Sequence, residues 1–333
     1  MAKPSCSRTG CSTSSAPAGP DGCRAMTLAD DMRAAATALL ATAEGARAGA
    51  AFTDDDARRW IEYRPEPRPG LSLTDLGVTA RKAAHRLLAT ALSPPAYAQA
   101  MTVLALEEIL DRREGWARGR HSEDYRVIVF GAPGDEAWGW RFEGHHLSVS
   151  MTLAGNLVSP APVFLGANPA RVDTAGRTVL RPLAIEEDLG NELLRSMPAA
   201  ARRRAVVADE APYDIRSATR PVSSHLTPAG IARADLRLGE RALLDQLVAL
   251  YLGRLPDELA GALDPAGGDV HFAWEGPPGP RTRHYYRVQS DDLLIEFDNT
   301  TDDGNHAHSV LRRPRGDFGG DILAAHHAGV PHP

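Results

Sequence analysis

The chain has 333 residues, of which 43% are apolar and 24% charged, close to the globular average, so a sizeable core is available and global disorder is excluded. The formal charge of -6 leaves no basic excess to neutralise phosphates, which argues against general nucleic-acid binding. No apolar run approaches the roughly 18 residues that span a bilayer, and no apolar h-region follows Lys3 or Arg8, so a cytoplasmic protein without membrane contact is expected.

Residues 1–25 are rich in Ser, Pro, Gly and Ala and hold all three cysteines, Cys6, Cys11 and Cys23. Without periodicity they read as a disordered leader, which removes disulfides and thiolate metal sites from the remainder. Residues 26–330 are expected to form one domain. Up to residue 113 the pattern is helical. An Ala-rich helix is expected over 30–50, and Thr53-Asp54-Asp55-Asp56 resembles a capping box. The proline-dense stretch 64–70 reads as an extended connection. Ser72 can cap a helix with Leu73, Leu76, Ala80, Ala83, Leu87 and Ala91 at helical spacing, and Ser93-Pro94 starts another.

The period then falls to two. A strand is expected over 125–130 and a long one over 137–153. Trp138, Trp140 and Phe142 share one parity, whereas Leu147, Val149 and Met151 have the other. A bulge at Gly144 would reconcile them, placing His145 on the buried face and turning His146 outward. Residues 158–171 read as a loop, followed by helices over 183–197, 198–208 and from Thr227-Pro228 to residue 252. Four short strands are expected over 270–274, 285–289, 293–298 and 306–311, then a helix over 322–327. No repeat of 20 to 50 residues is visible. These blocks predict an α+β fold: an antiparallel sheet built from the central and C-terminal β regions and covered by the N-terminal and middle helices.

Histidine placement carries the chemistry. His306 and His308 lie two apart in a predicted strand, so both imidazoles leave one face and can meet one ion. The bland alternative is an exposed pair beside the turn at 302–305. A second concentration, His145-His146, and a third, His326-His327, favour the metal, since an ion needs three or four donors from different segments. The candidate ligands are therefore His145, His146, His306, His308 and His326, with Asp298 or Asp317 completing the set or orienting an imidazole. Asp321 reads as a helix cap. Glu143 and Glu296 are candidate general bases, and Arg141, with Arg287 and Arg312, could hold the carboxylate of a small-molecule substrate. Phosphate-binding glycine loops, a nucleophile elbow and His-Glu-x-x-His are absent. Phe164-Leu165-Gly166-Ala167-Asn168-Pro169 reads as a tight loop whose Asn168 amide anchors either the loop or a ligand.

Several of these segments together resemble the bacterial and fungal family catalogued as domain of unknown function 3500. They are Trp60-Ile61-Glu62-Tyr63, Arg68-Pro69-Gly70-Leu71, the run from Trp138 through Glu143-Gly144-His145-His146 to Ser148, and Phe164 to Pro169. Tyr285-Tyr286-Arg287, Ile295 to Asn299, Asn305-His306-Ala307-His308-Ser309, Asp317-Phe318-Gly319-Gly320-Asp321 and His326 add to them. The resemblance implies one family unit behind the leader and marks His326 rather than His327, but supplies no reaction. The leading expectation is an iron- or copper-using oxidoreductase acting on a small molecule. The alternatives are a zinc-dependent hydrolase with Glu143 or Glu296 as base, and a non-catalytic metal- or ligand-binding domain.

Overall fold

Alternating β-branched and aromatic residues make eight main strands: β1 (Tyr125–Phe130), β2 (Ala137–Gly144), β3 (Leu147–Ala154), β4 (Val163–Ala167), β5 (His271–Glu275), β6 (Tyr285–Gln289), β7 (Leu294–Thr301) and β8 (His306–Arg312). The computed structural model describes residues 26–53, 57–219, 226–263, 269–279 and 281–329. The leader and Asp54-Asp55-Asp56 of the expected capping box lie outside these residues. The strands run β1-β2-β3-β4-β8-β7-β6-β5, and short edge segments extend this to a mostly antiparallel sheet of 13 strands among the described residues.

Eight α-helices accompany the sheet among the described residues: α1 (Leu28–Leu40), α2 (Val78–Ala91), α3 (Pro94–Arg113), α4 (Ala184–Ser196), α5 (Ala199–Ala205), α6 (Leu238–Leu252), α7 (Asp257–Leu263) and α8 (Gly320–Gly329). The α+β expectation holds. α3 shows how local sequence sets an element: Ser93 Oγ accepts from Ala96 N at 3.4 Å, Pro94 occupies the first turn, and Arg112 and Arg113 close the last. Its buried residues include Ala100, Val103, Leu104, Glu107, Leu110 and Asp111, so two carboxylates are carried out of solvent, Glu107 within the apolar stripe. One sheet face, with Trp138, Trp140, Phe142, Val149, Val163, Ile295 and Phe297, forms a continuous apolar core with the helices. Each such side chain contributes roughly 1.5–3 kcal/mol by leaving water.

The opposite face is polar yet equally buried. Segments 57–66 and 211–219 cross it, packing Ile61, Tyr63 and Ile215 on Phe164, Val310 and Phe318. Ile61 N donates to Thr219 O at 2.9 Å, tying the two covering segments together.

The halves of the chain repeat one another. Gly70-Leu71-Ser72 and Gly230-Ile231-Ala232 each enter a short strand, a 3-10 turn ending in Asp75 or Asp235, and a helix, α2 or α6. Leu71 pairs with Val127 of β1 as Ile231 pairs with Phe272 of β5. Both glycines have φ near +90 to +100°, and a Cβ would lie 2.7 Å from Val127 O and 2.1 Å from Phe272 O. The strand order is mirrored about the β4–β8 pair, where Val163 faces Leu311. The duplicated unit exceeds the 20 to 50 residues of common repeats, and only a few positions such as Gly, Asp and Leu are shared.

Three local expectations are corrected. Residues 137–153 are a hairpin, not a bulged strand: Gly144 pairs with Leu147 across the connection His145-His146. Chain reversal through two residues changes the parity, and Phe142, paired with Val149, shares its face. Residues 163–167 are the central strand β4, not a loop, because a short apolar run without alternation suits a strand buried on both faces. The helix expected from Thr227 starts only at Leu238, after the repeated strand and turn.

Candidate metal centre

His145 and His146 sit at the tip of the β2–β3 hairpin, with His146 at φ +63° in the left-handed region. That conformation is held from both sides: His146 N donates to Tyr63 O at 2.9 Å and its carbonyl accepts from Gly166 N at 2.7 Å. His306 and His308 leave β8 on one face, as strand alternation requires. His146 Nε2 is 2.7 Å from His306 Nε2, and His308 Nε2 is 3.1 Å from it. Three imidazole nitrogens, one from the first half and two from the second, thus converge. His146 and His308 are buried, while the His306 side chain keeps 19% exposure and forms the opening.

The opposite ring nitrogens of His308 and His306 have polar neighbours. His308 Nδ1 donates to Asp214 Oδ1 at 2.9 Å and lies 3.2 Å from Asp298 Oδ2. Tyr63 OH donates to Asp214 Oδ2 at 2.9 Å, and its ring stacks on Phe164 at 4.1 Å. His306 Nδ1 is 3.4 Å from Asn168 Nδ2 and 3.7 Å from Asp302 Oδ2. His145 packs on His146 with ring centroids 3.7 Å apart and meets Glu107 Oε1 at 2.6 Å through Nδ1.

A chain with these contacts has a family. One family model, described as "Protein of unknown function (DUF3500)", matches residues 25–320. The chain belongs to the DUF3500 family. No curated protein and no solved structure matches it.

Burial, then repulsion from His145, His306 and His308, depresses His146 of this DUF3500 chain well below the usual imidazole range. Burial and His308 lower His306 to about 3. Burial acts against charge on His308 too, but Asp298 and Asp214 prevail and lift it to about 10. Burial raises the Asp298 carboxyl. Asp214, despite its burial, is lowered by the hydrogen bond from His308. Two rings thus stay neutral with lone pairs for an ion, and the third carries a proton that an ion would displace.

Three overlapping groups have metal-ligand spacing among the described residues of the DUF3500 chain: His146, His306 and His308; Glu107, His145 and His146; and Asp214, Asp298 and His308. Arg120 occupies the cationic role in the second, 3.3 Å from His145 Nδ1 and 3.6 Å from Glu107. In the third, His308 is itself the cation between two carboxylates. The three histidines bring neutral His146 and His306 together with His308, whose charge is balanced from outside the group by Asp214 and Asp298. An ion about 2.0–2.1 Å from each nitrogen spaces the nitrogens at about 2.9–3.4 Å. The observed 2.7 and 3.1 Å lie within a few tenths of that range.

The remaining candidates fall elsewhere in the DUF3500 fold. Glu143 is buried 2.9 Å from Arg141 Nε and accepts from Glu62 N, while Arg141 donates to the carbonyls of Ala57, Arg58 and Trp60. Burial raises the Glu143 carboxyl above its usual range. Glu296 accepts from Arg216 N, Ser217 N and Tyr285 OH. Asp317 binds Arg312 Nε at 2.7 Å. His326 on α8 lies 3.9 Å from Glu136, just before β2, so the eight-residue strand, about 25 Å long, separates it from the hairpin tip. Among the described residues, none of these five joins the convergent groups. His145 joins only through Glu107 and His146, and Asp298 joins through His308. His146, expected to turn outward, points inward.

Sequence reasoning missed Asp214, Glu107, Arg120 and Tyr63. Glu107 had a signal, a carboxylate within an apolar helical stripe. Tyr63 lay in a motif of the resemblance. Asp214 sits in a covering segment with no periodicity and had none.

Proposed function

We propose that the protein is a metal-dependent enzyme in which His146, His306 and His308 hold one transition-metal ion, and that it carries out oxidoreduction of a small molecule with iron or copper. The observation supporting this is the convergence of the three Nε2 atoms, with the outer nitrogen of His308 held by Asp214 and Asp298. An all-imidazole set suits iron, copper and zinc, and such an ion supplies Lewis acidity, with redox chemistry added for the first two. Asp214 and Asp298 orient His308 and hold its Nδ1 proton. Tyr63 fixes Asp214, and the exposed edge of His306 marks the side from which a substrate would enter.

The zinc hydrolase reading finds its observation in the carboxylate-backed histidines, an arrangement common in zinc sites. Its expected bases are committed elsewhere: Glu143 and Glu296 are engaged by the covering segments. Residues 26–330 would then act as one unit, because the proposed ligands come from both halves. The experiment is metal analysis of untagged protein with optical and paramagnetic resonance spectra before and after reduction. Stoichiometric iron or copper with a redox-dependent spectrum, lost in His306→Ala, is expected. Stoichiometric zinc would favour the hydrolase, and no metal in any preparation would refute the assignment.

A further inference from the structure

Away from the histidines, four guanidinium groups converge on one cavity of about 150 Å³, lined by Arg171, Arg181, Arg195 and Arg281. They come from different places: Arg171 and Arg181 flank a small hairpin (Val172–Thr174 and Arg177–Leu180), Arg195 lies on α4, and Arg281 on the turn before β6. The walls are braced. Asn191 of α4, buried, accepts from Gly279 N at 3.2 Å and so clamps the turn carrying Arg281 against the helix. Thr282 Oγ1 donates to Pro277 O and Gly279 O within the same turn, and Arg281 is held at φ +62°. Thr178 Oγ1 donates to Asp173 Oδ1 at 2.6 Å, fixing the carboxylate that binds Arg171.

Charge accounting decides what such a cavity takes. Four arginines line it against two acids, Glu187 and Asp188, and counting Asp173 behind the wall still leaves an excess of one positive charge. Arg181 is committed to Glu187 and Asp188 at 2.7 and 2.8 Å, and Arg171 to Asp173 at 2.8 Å. Arg195 engages only a carbonyl, Asn191 O, through Nε, and Arg281 reaches Asp173 no closer than 3.9 Å. Two guanidinium forks with spare donors thus line a part-open cavity with room for a small oxyanion, the group such forks bind in bidentate fashion.

We propose that this cavity is a binding site for a small dianion, a phosphate or dicarboxylate group, held by Arg195 and Arg281 with Arg171 and Arg181 completing the field. It does not depend on the metal reading, since no candidate metal ligand lines it. The test is calorimetric titration of the full-length protein with inorganic phosphate and with oxalate in low-chloride buffer. Saturable 1:1 binding of either probe is expected, weakened at least ~10-fold by Arg195→Gln or Arg281→Gln, as loss of one charged hydrogen-bonding group predicts. Arg204→Gln, an exposed arginine paired with Asp235 elsewhere, should leave it unchanged. The tighter probe tells phosphate from dicarboxylate. Absence of saturable binding by both probes, or binding that Arg195→Gln and Arg281→Gln leave intact, overturns the site. Both residues are exposed, so the variants should melt with the wild type, and a shared melting temperature assigns lost binding to the lost guanidinium.

Discussion

Gly166 offers a way to perturb the proposed centre without touching a ligand. It pairs with His308 across β4 and β8 and lies beneath the His146 ring. A Cβ there would sit 2.7 Å from His146 Cδ2, 3.1 Å from His146 Cβ and 3.1 Å from Ala307 O. Restoring ordinary contact at 3.4 Å means moving the ring by about 0.7 Å, several times the roughly 0.2 Å tolerance of a metal–ligand distance. The ring has little room, because His145 stacks on it at 3.7 Å and His306 meets its Nε2 at 2.7 Å. Gly166→Ala is therefore expected to weaken metal binding by roughly 10- to 100-fold, as for other changes that disorient a ligand, and to cost about 1–3 kcal/mol as an overpacked site. Competition titration against a chromophoric chelator reads the first effect and urea unfolding of the metal-free protein the second. Gly134→Ala, with open space at its Cβ, is the control. Wild-type metal affinity in Gly166→Ala would refute the placement of His146 as a ligand.

His306→Ala, His308→Ala and His146→Ala should each lower metal affinity by at least ~10-fold with near-native circular dichroism, His146 as strongly as the others because it points inward; metal quantification after dialysis reads this. Glu143→Ala and Glu296→Ala should retain metal but lose stability, about 3–5 kcal/mol for Glu143, whose removal leaves Arg141 buried and unpaired; normal stability with lost metal would reverse that assignment. Gly144→Val should destabilise because its Cβ would lie 2.2 Å from the Tyr125 ring, not because a bulge is lost, and Tyr125→Ala in the same chain should recover part of the deficit in denaturant midpoint. Acid should destabilise the metal-free protein between pH 6.5 and about 3, since the unfolded chain's His306 takes up a proton there while the folded one stays neutral, and His146, also depressed, adds to the loss in the same direction. On the alkaline side, His308 contributes stability that is complete below pH 6.5 and lost as pH rises towards about 10. Melting curves across pH should show the acid slope reduced in His306→Ala.

Strand patterning made the sheet legible, and β6 matches its expected bounds of 285–289. The His306-x-His308 pair was legible because a period of two fixes direction from spacing alone. His146 was not, since a two-residue reversal and a bulge produce the same parity change, and only pairing partners distinguish them. Likewise the carboxylates at Glu143, Glu296 and Asp317 were visible as residue types, but their partners are backbone amides and arginines of segments distant in sequence. His284 is a core ring, stacked on Trp274 at 4.5 Å.

The duplicated architecture leaves an uneven inheritance. By the register of the two hairpins, Phe142–Val149 corresponding to Val288–Ile295, the tip that carries His145 and His146 in the first copy carries Asp291 and Asp292 in the second. There Asp292 meets Arg313, which also reaches Asp321. One seam of the molecule thus gathers imidazoles and its counterpart is locked by ion pairs. With one proposed ligand from one copy and two from the other, the proposed centre would be a joint property of the pair: either half produced alone would lack it, and mixing the halves would restore ion binding only as they dock, making a bound metal a direct reporter of their reunion.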